Sequence, residues 1–144
     1  VYKRQQEPMR LEITRKADLA ILVITTLEAA EGRVSGKALA AEVGTSKAFL
    51  AQVVTPLAHA GWISSQPGRA GGYELTIDPT RISVLEVIEL VEGPTDTETC
   101  VLRHDACSAS EPCATHNAWA RARTALLAEL AATPVSLLTS EGIN

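Results

Sequence analysis

The middle of the chain combines two short segments of helical periodicity with a glycine between them. Ser35 favours the N-cap position, and the apolar residues after it predict a helix that ends just before Gly44. Thr45 or Ser46 is placed to cap a second helix that extends to about Ala60. Because Gly44 tolerates the positive φ that a tight turn requires, the pattern predicts a helix-turn-helix.

A glycine-rich hairpin pattern follows this pair of helices. Two short arms, 62–65 and 73–77, flank a turn that contains Pro67, Gly68 and Gly71, and the second arm alternates apolar and polar residues. A hairpin placed directly after a helix-turn-helix makes a winged helix. The chain is 46% hydrophobic but only 3% aromatic, so its core must consist mainly of aliphatic residues, which favours helices over a β-sandwich. We therefore predict a mainly α fold with a small β-hairpin wing.

Helical periodicity also marks three flanking segments. Further helices are predicted over 11–30, over 83–91 and from about 112 or 113 to 130, and Pro56 is expected to bend or end the helix that contains it. The predicted divisions are an extraneous N-terminal segment (1–8), a winged-helix domain (9–92), a cysteine-containing loop (93–113), a long helix (114–131) and a flexible tail (132–144).

Polar residues at the start of the second helix are candidate DNA contacts. In a helix-turn-helix this helix enters the major groove by its N-terminal turns. Ser46, Lys47, Ala48 and Gln52 would then face bases and phosphates, while Arg69 at the tip of the wing would reach a minor groove or the backbone. The alternative for each residue is a solvated surface side chain with no role in DNA binding.

Charge is distributed unevenly along the chain. Overall, 13 Lys and Arg residues against 17 Asp and Glu residues give a net charge of −4, which argues against a nucleic-acid partner. Between residues 32 and 81, however, five basic residues outnumber three acidic ones, whereas residues 84–111 hold seven acidic residues and one basic residue. The winged helix is thus slightly basic. So weak an electrostatic footprint favours binding to DNA by two copies in a dimer.

Three cysteines, Cys100, Cys107 and Cys113, lie within 14 residues. Their odd number excludes a closed disulfide framework, and the tight cysteine pair usual in structural zinc sites is missing. Wide spacings in a loop suit an iron-sulfur cluster, whose irons prefer thiolate ligands. Three cysteines leave one position for another donor.

His116 is the leading candidate for the fourth ligand because it follows Cys113 by three residues at the start of a helix. An imidazole can replace a thiolate on iron. Asp18 and His104 are the competing candidates. Two alternatives remain open at this point: three unligated thiols, or a zinc site formed by the three cysteines and His116.

The order and spacing of six short motifs between about residues 9 and 130 resemble the Rrf2 family of bacterial winged-helix regulators. The motifs are Met9-Arg10-Leu11, Asp18-Leu19-Ala20, Gly44-Thr45-Ser46 with Phe49-Leu50 and Gln52, Gly71-Gly72-Tyr73 with Leu75, Val84-Leu85-Glu86-Val87-Ile88, and the three cysteines in order.

Two branches of that family imply different fourth ligands. The run from Cys113 to His116, followed closely by Trp119, is similar to the IscR branch, in which the histidine completes a two-iron two-sulfur cluster. Asp18 instead matches the position from which the NsrR branch supplies, from the partner subunit, a ligand to a four-iron cluster. The resemblance as a whole favours the two-iron cluster.

The resemblance also implies a homodimer formed along the long C-terminal helix. An apolar stripe on that helix would make the interface; its residues are Trp119, Ala122, Leu126 and Leu130. The alternative is that the stripe packs within one chain.

Together these features predict a cytoplasmic, dimeric, DNA-binding transcription regulator, a repressor, that responds to iron-sulfur, redox or nitric oxide status through its cluster. The alternatives are a zinc-stabilised protein-interaction module and a winged-helix regulator without a cluster. We expect neither an enzyme nor a small-molecule substrate, since no nucleophile-base pairing, phosphate loop or pair of catalytic carboxylates is present. A membrane partner is not expected, because no apolar run approaches the length of a bilayer span.

Overall fold

The computed structural model describes residues 12–95, 110 and 112–138, and it has the mainly α fold with a two-stranded wing that the sequence predicts. The elements in chain order are α1 (Arg15–Ala29), α2 (Gly36–Glu42), α3 (Lys47–His59), β1 (Ile63–Gln66), β2 (Gly72–Leu75), a 3-10 helix (Pro79–Arg81), α4 (Val84–Glu92), α5 (His116–Ala132) and a second 3-10 helix (Val135–Leu137). No helix in the described ranges has the length and apolar character needed to span a bilayer.

Helix α1 lies at the centre of the core and contacts α3, α4 and β2. Its fully buried residues are Ala17, Ala20, Val23 and Ile24. The helix begins at Arg15 rather than at the predicted Leu11, because the hydroxyl of Thr14 caps it by accepting a hydrogen bond from the amide of Ala17 at 3.2 Å.

The helix-turn-helix forms with the predicted caps. The hydroxyl of Ser35 accepts a hydrogen bond from the third residue of α2, and the hydroxyl of Ser46 does the same at the start of α3. Gly44 has a φ of +66° in the turn between them. Helix α3 continues through Pro56 to His59, so the proline does not end the helix. The carbonyl that loses its amide partner belongs to the exposed Gln52, where water can satisfy it.

The wing is an antiparallel pair in which Ile63 lies opposite Leu75 and Gln66 lies opposite Gly72. A third segment joins its base, since Val34 and Tyr73 exchange two backbone hydrogen bonds of 2.8 and 2.7 Å. Because residues 33–35 connect α1 to α2, this bridge attaches the wing to the helix-turn-helix.

The first 3-10 helix leads from the wing to α4. Asp78 caps it by accepting hydrogen bonds from the hydroxyl and the amide of Thr80 at 2.6 and 2.9 Å. These bonds, helped by the charge of Arg81, hold the pKa of the Asp78 carboxyl below its ordinary value. Helix α4 then begins with a capping box, in which Ser83 and Glu86 each bond the backbone amide of the other.

The segment after α5 is docked, in contrast to the predicted flexible tail over 132–144. The amide of Val84 donates to the carbonyl of Thr133 at 2.8 Å, and the amide of Val135 donates to the carbonyl of Ile82 at 2.8 Å. The side chain of Val135 is completely buried in the core. Leu138 also packs against the core, and residues 139–144 lie outside the described part.

Candidate nucleic-acid interface and cysteine segment

The amino-terminal half of α3 has one buried face and one exposed face. Leu50 and Val53 are 1% and 0% exposed. The residues that the sequence assigned to DNA, Ser46, Lys47, Ala48 and Gln52, are all exposed. This face carries a hydroxyl, an ammonium and a carboxamide, which are groups that hydrogen-bond to phosphate oxygens and base edges.

The side chain of Ser46 has a structural role in the absence of DNA. Its Oγ accepts a hydrogen bond from the amide of Phe49 at 3.2 Å and so caps α3. A hydroxyl that accepts one bond can still donate its own hydrogen. The same side chain can therefore cap the helix and donate to an anionic oxygen.

An open cleft lies at the amino end of α3. It is lined by Arg15, Gly44, Thr45, Ser46 and Phe49. Arg15 is the first residue of α1, and sequence reasoning did not single it out. Its position next to α3 arises only when α1 packs across the helix-turn-helix. The available signal was a basic residue directly after a capping threonine at the start of the central helix.

The tip of the wing presents Arg69 to solvent. Gly68 has a φ of +96°, and its carbonyl accepts a hydrogen bond from the amide of Gly71 at 3.0 Å. A Cβ on Gly71 would lie 2.1 Å from the carbonyl oxygen of Gln66, so only glycine fits there. The turn chemistry thus fixes the shape of the tip that carries the arginine.

Arg33 differs from the other basic residues of the winged helix. Its guanidinium forms an ion pair with Glu74 of β2 at 3.0 Å, and its side chain is 24% exposed. Arg33 is one of the five basic residues between 32 and 81, but its positive charge is matched by the carboxylate of Glu74. Removing the pair from both sides of the count leaves four bases against two acids, so the domain keeps its slight positive excess.

Of the three cysteines in the segment 93–113, which we call the cysteine segment, the structure describes Cys113. Cys100, Cys107 and the competing ligand His104 lie outside the described residues. Cys113 is half-buried, and its Sγ lies 3.6 Å from the hydroxyl of Thr115. His116 is the first residue of α5, and its amide donates to the carbonyl of Cys113 at 3.1 Å.

Asp18 is exposed in the first turn of α1. Among the residues that the structure describes, no three His, Cys, Asp or Glu side chains are grouped so that they could hold a metal ion. The described part of the chain therefore brings together Cys113 and His116 at the amino end of α5, and it leaves Asp18 on another element.

The apolar stripe predicted on α5 is divided between two sides of the helix. The half-buried positions recur every three or four residues and are His116, Trp119, Arg123, Leu127 and Leu130. Leu130 packs against the core of its own chain, so for this residue the alternative of packing within one chain applies. Ala122 and Leu126 are exposed, Leu126 by 49%.

Comparison with known families gives a match over nearly the whole chain. The model of the Rrf2 family, described as an iron-dependent transcriptional regulator, matches residues 13–141. The chain belongs to the Rrf2 family.

Individual Rrf2 relatives agree with this assignment. A putative Rrf2-like HTH-type transcriptional regulator from Rhodobacter capsulatus is 34% identical over 70% of this chain and 68% of its own length. The HTH-type transcriptional regulator IscR from Aliivibrio salmonicida is 31% identical over 76% of this chain and 66% of its own length. The chain thus spans about two thirds of the length of these relatives.

A solved structure of the same family has the same fold. CymR, the global cysteine regulator of B. subtilis, is 29% identical and superimposes with a TM-score of 0.70 over 92% of this chain and 98% of its own.

Membership of the Rrf2 family makes this chain a DNA-binding transcription regulator with a winged helix, not an enzyme. It also removes one alternative from the sequence analysis, a zinc-stabilised interaction module without a role in DNA binding.

Proposed function

We propose that this Rrf2 protein is a dimeric repressor whose affinity for DNA depends on an iron-sulfur cluster held by Cys100, Cys107, Cys113 and His116. The observation that carries the proposal is the placement of Cys113 and His116 at the amino end of α5. The amide of His116 donates to the carbonyl of Cys113 there, so the two residues share one backbone turn.

The chemistry of this donor set fits iron. The positive end of a helix favours the thiolate form of a nearby cysteine, and thiolates are the ligands that iron-sulfur clusters prefer. The imidazole of His116 is a suitable fourth donor and favours a two-iron two-sulfur cluster, while Asp18 is the alternative donor. When bound, the cluster would supply a group that responds to iron supply, oxidation or nitric oxide.

The described residues connect the start of the cysteine segment to the recognition helix α3. The ammonium of Lys16 donates to the carbonyl of Val91 at 2.8 Å, and the hydroxyl of Thr14 donates to the carboxylate of Glu92. Both acceptors lie in the last turn of α4, directly before the cysteine segment. Arg15, between these two donors in the chain, lines the cleft at the start of α3. A shift at the end of α4 would therefore move the first turn of α1 and the edge of the DNA-binding surface.

A dimer would offset the weak electrostatic attraction of a single copy to DNA. The winged helix has an excess of only two positive charges, which gives weak attraction to phosphates. Two copies would place two α3 helices in half-sites about 34 Å apart. The exposed Ala122 and Leu126 on α5 are the residues that we assign to the contact between copies.

Anaerobic reconstitution with iron and sulfide tests the cluster and its fourth ligand. We expect a coloured protein with stoichiometric iron and sulfide, an altered visible spectrum for His116→Ala, and a wild-type spectrum for Asp18→Ala. The reverse pattern in the two variants would assign the fourth position to Asp18. A colourless wild-type protein that carries stoichiometric zinc after anaerobic handling would refute the cluster.

The resemblance to CymR supports a second candidate function, that of a winged-helix regulator without a cluster. This candidate predicts that reconstitution leaves DNA affinity unchanged. It also predicts that Cys113→Ser binds DNA as the wild type does.

A further inference from the structure

The side chain of Arg33 joins both strands of the wing to the connection between α1 and α2. One guanidinium nitrogen, Nη2, lies 3.0 Å from a carboxylate oxygen of Glu74 and 3.3 Å from the hydroxyl of Ser64. The other, Nη1, donates to the carbonyl of Gly72 at 3.2 Å and lies 3.5 Å from the carbonyl of Ser64. Since Ser64 belongs to β1 and the other two residues to β2, a single side chain holds the two strands at one edge.

The backbone next to Arg33 reinforces this attachment. Val34 exchanges two hydrogen bonds with Tyr73, and Gly72 approaches so closely that a Cβ there would lie 2.1 Å from the carbonyl oxygen of Val34. The following residue, Ser35, caps α2. Residues 33–35 therefore tie the base of the wing to the helix-turn-helix, in addition to the contacts of α3 with β1 and of α1 with β2.

The position of the wing tip depends strongly on this fixed base. Beyond Ser64 the strand continues for two residues, about 6.6 Å at roughly 3.3 Å per residue, and the turn then places Arg69 on the order of 10 Å beyond the pair. By the same geometry a tilt of about 10° at the base would move the tip by roughly 1.7 Å. That displacement exceeds the range of a hydrogen bond, whose donor-acceptor distance varies by about 0.5 Å.

We propose that Arg33 is a positioning residue for DNA binding, which sets the angle of the wing and so the place of Arg69 without contacting DNA itself. The inference rests on the DNA-binding role of the winged helix. The charge of Arg33 is matched by Glu74 and its side chain is largely covered, whereas Arg69 is exposed. The first arginine therefore acts through the second.

A double-mutant cycle tests this coupling. The probe is a DNA duplex selected by the wild-type protein from a random-sequence pool, and the dissociation constant is measured by fluorescence anisotropy at several salt concentrations. We expect Arg33→Gln and Arg69→Ala each to weaken binding on the order of tenfold, the effect of one lost charge-assisted hydrogen bond. The double variant should bind DNA no more weakly than whichever single variant binds it less tightly. The two single variants and the double variant should each lower the salt dependence of the dissociation constant by about one phosphate contact.

Lys47→Gln combined with Arg69→Ala serves as the additive reference, because Lys47 lies on α3 and is exposed independently of the wing. Its effect should multiply that of Arg69→Ala. Glu74→Gln provides a second test that does not depend on removing Arg33. It should weaken binding, since it loosens the wing, whereas it would strengthen binding if it released Arg33 to contact a phosphate.

Three results would overturn the proposal. Multiplicative effects of Arg33→Gln and Arg69→Ala, with tighter binding by Glu74→Gln, would make Arg33 a direct DNA contact. Wild-type affinity for Arg33→Gln would make the ion pair a matter of folding alone. No effect of Arg69→Ala would remove the contact that Arg33 is proposed to position. Failure of the wild-type protein to select any duplex would instead contradict the DNA-binding role itself.

Discussion

Replacement of Val135 by alanine measures how firmly the segment after α5 is docked. The side chain of Val135 is fully buried, so the substitution removes two methyl groups from the core. Transfer of two such groups to water costs about 1.6 kcal/mol, and the unfilled space adds roughly 1 kcal/mol. We expect the free energy of unfolding to fall by about 2–3 kcal/mol, which corresponds to a decrease in Tm of roughly 6–12 °C.

Leu137→Ala is the matched control for this experiment. Leu137 lies in the same 3-10 helix but is 70% exposed, so its removal should change stability by less than about 0.5 kcal/mol. Urea unfolding followed by far-UV circular dichroism, at equal protein concentrations, gives both values. Equal and small effects for the two variants would refute the docking of this segment and would restore the flexible tail that the sequence predicted.

Three further predictions concern the wing, the cleft and pH. Gly72→Ala should lower the free energy of unfolding by about 1–3 kcal/mol, because the φ of Gly72 is +137° and the new Cβ would overlap the backbone of Val34. Gly68→Ala meets open space and should cost about 1 kcal/mol, and urea midpoints compare the two variants. Arg15→Gln should weaken DNA binding and lower its salt dependence by about one contact, and an unchanged slope in anisotropy titrations would exclude a phosphate contact. The lowered pKa of Asp78 means that its ionised form contributes stability above its ordinary pKa, and this is lost as pH falls through the folded-state pKa. The urea midpoint of Asp78→Asn should therefore decrease less than that of the wild type on acidification, and parallel decreases would contradict this assignment.

Features set by local chemistry were predictable from the sequence. The caps at Ser35 and Ser46 and the positive φ of Gly44 each depend on a residue type next to a periodic segment, and all three are confirmed. The hairpin was predictable for the same reason, because its turn glycines and alternating arm are neighbours in the chain.

Features that join distant segments were not predictable in this way. Arg33 and Glu74 are 41 residues apart, and only the register of the wing on the connection between α1 and α2 brings them together. Arg15 reaches α3 through the packing of α1, and Val135 is buried in a segment whose backbone bonds join Val135 to Ile82 and Thr133 to Val84. None of these pairings leaves a periodic signal in a single sequence.

DNA affinity with and without the cluster tests the proposed function most directly. The same preparation, anaerobically reconstituted or freed of iron with a chelator, is titrated into the selected duplex at one salt concentration. We predict at least a tenfold tighter dissociation constant for the reconstituted protein, equivalent to about 1.4 kcal/mol of coupling, and no difference for Cys113→Ser. Equal affinities for the two wild-type forms would contradict a cluster-dependent regulator and would support the winged-helix regulator without a cluster.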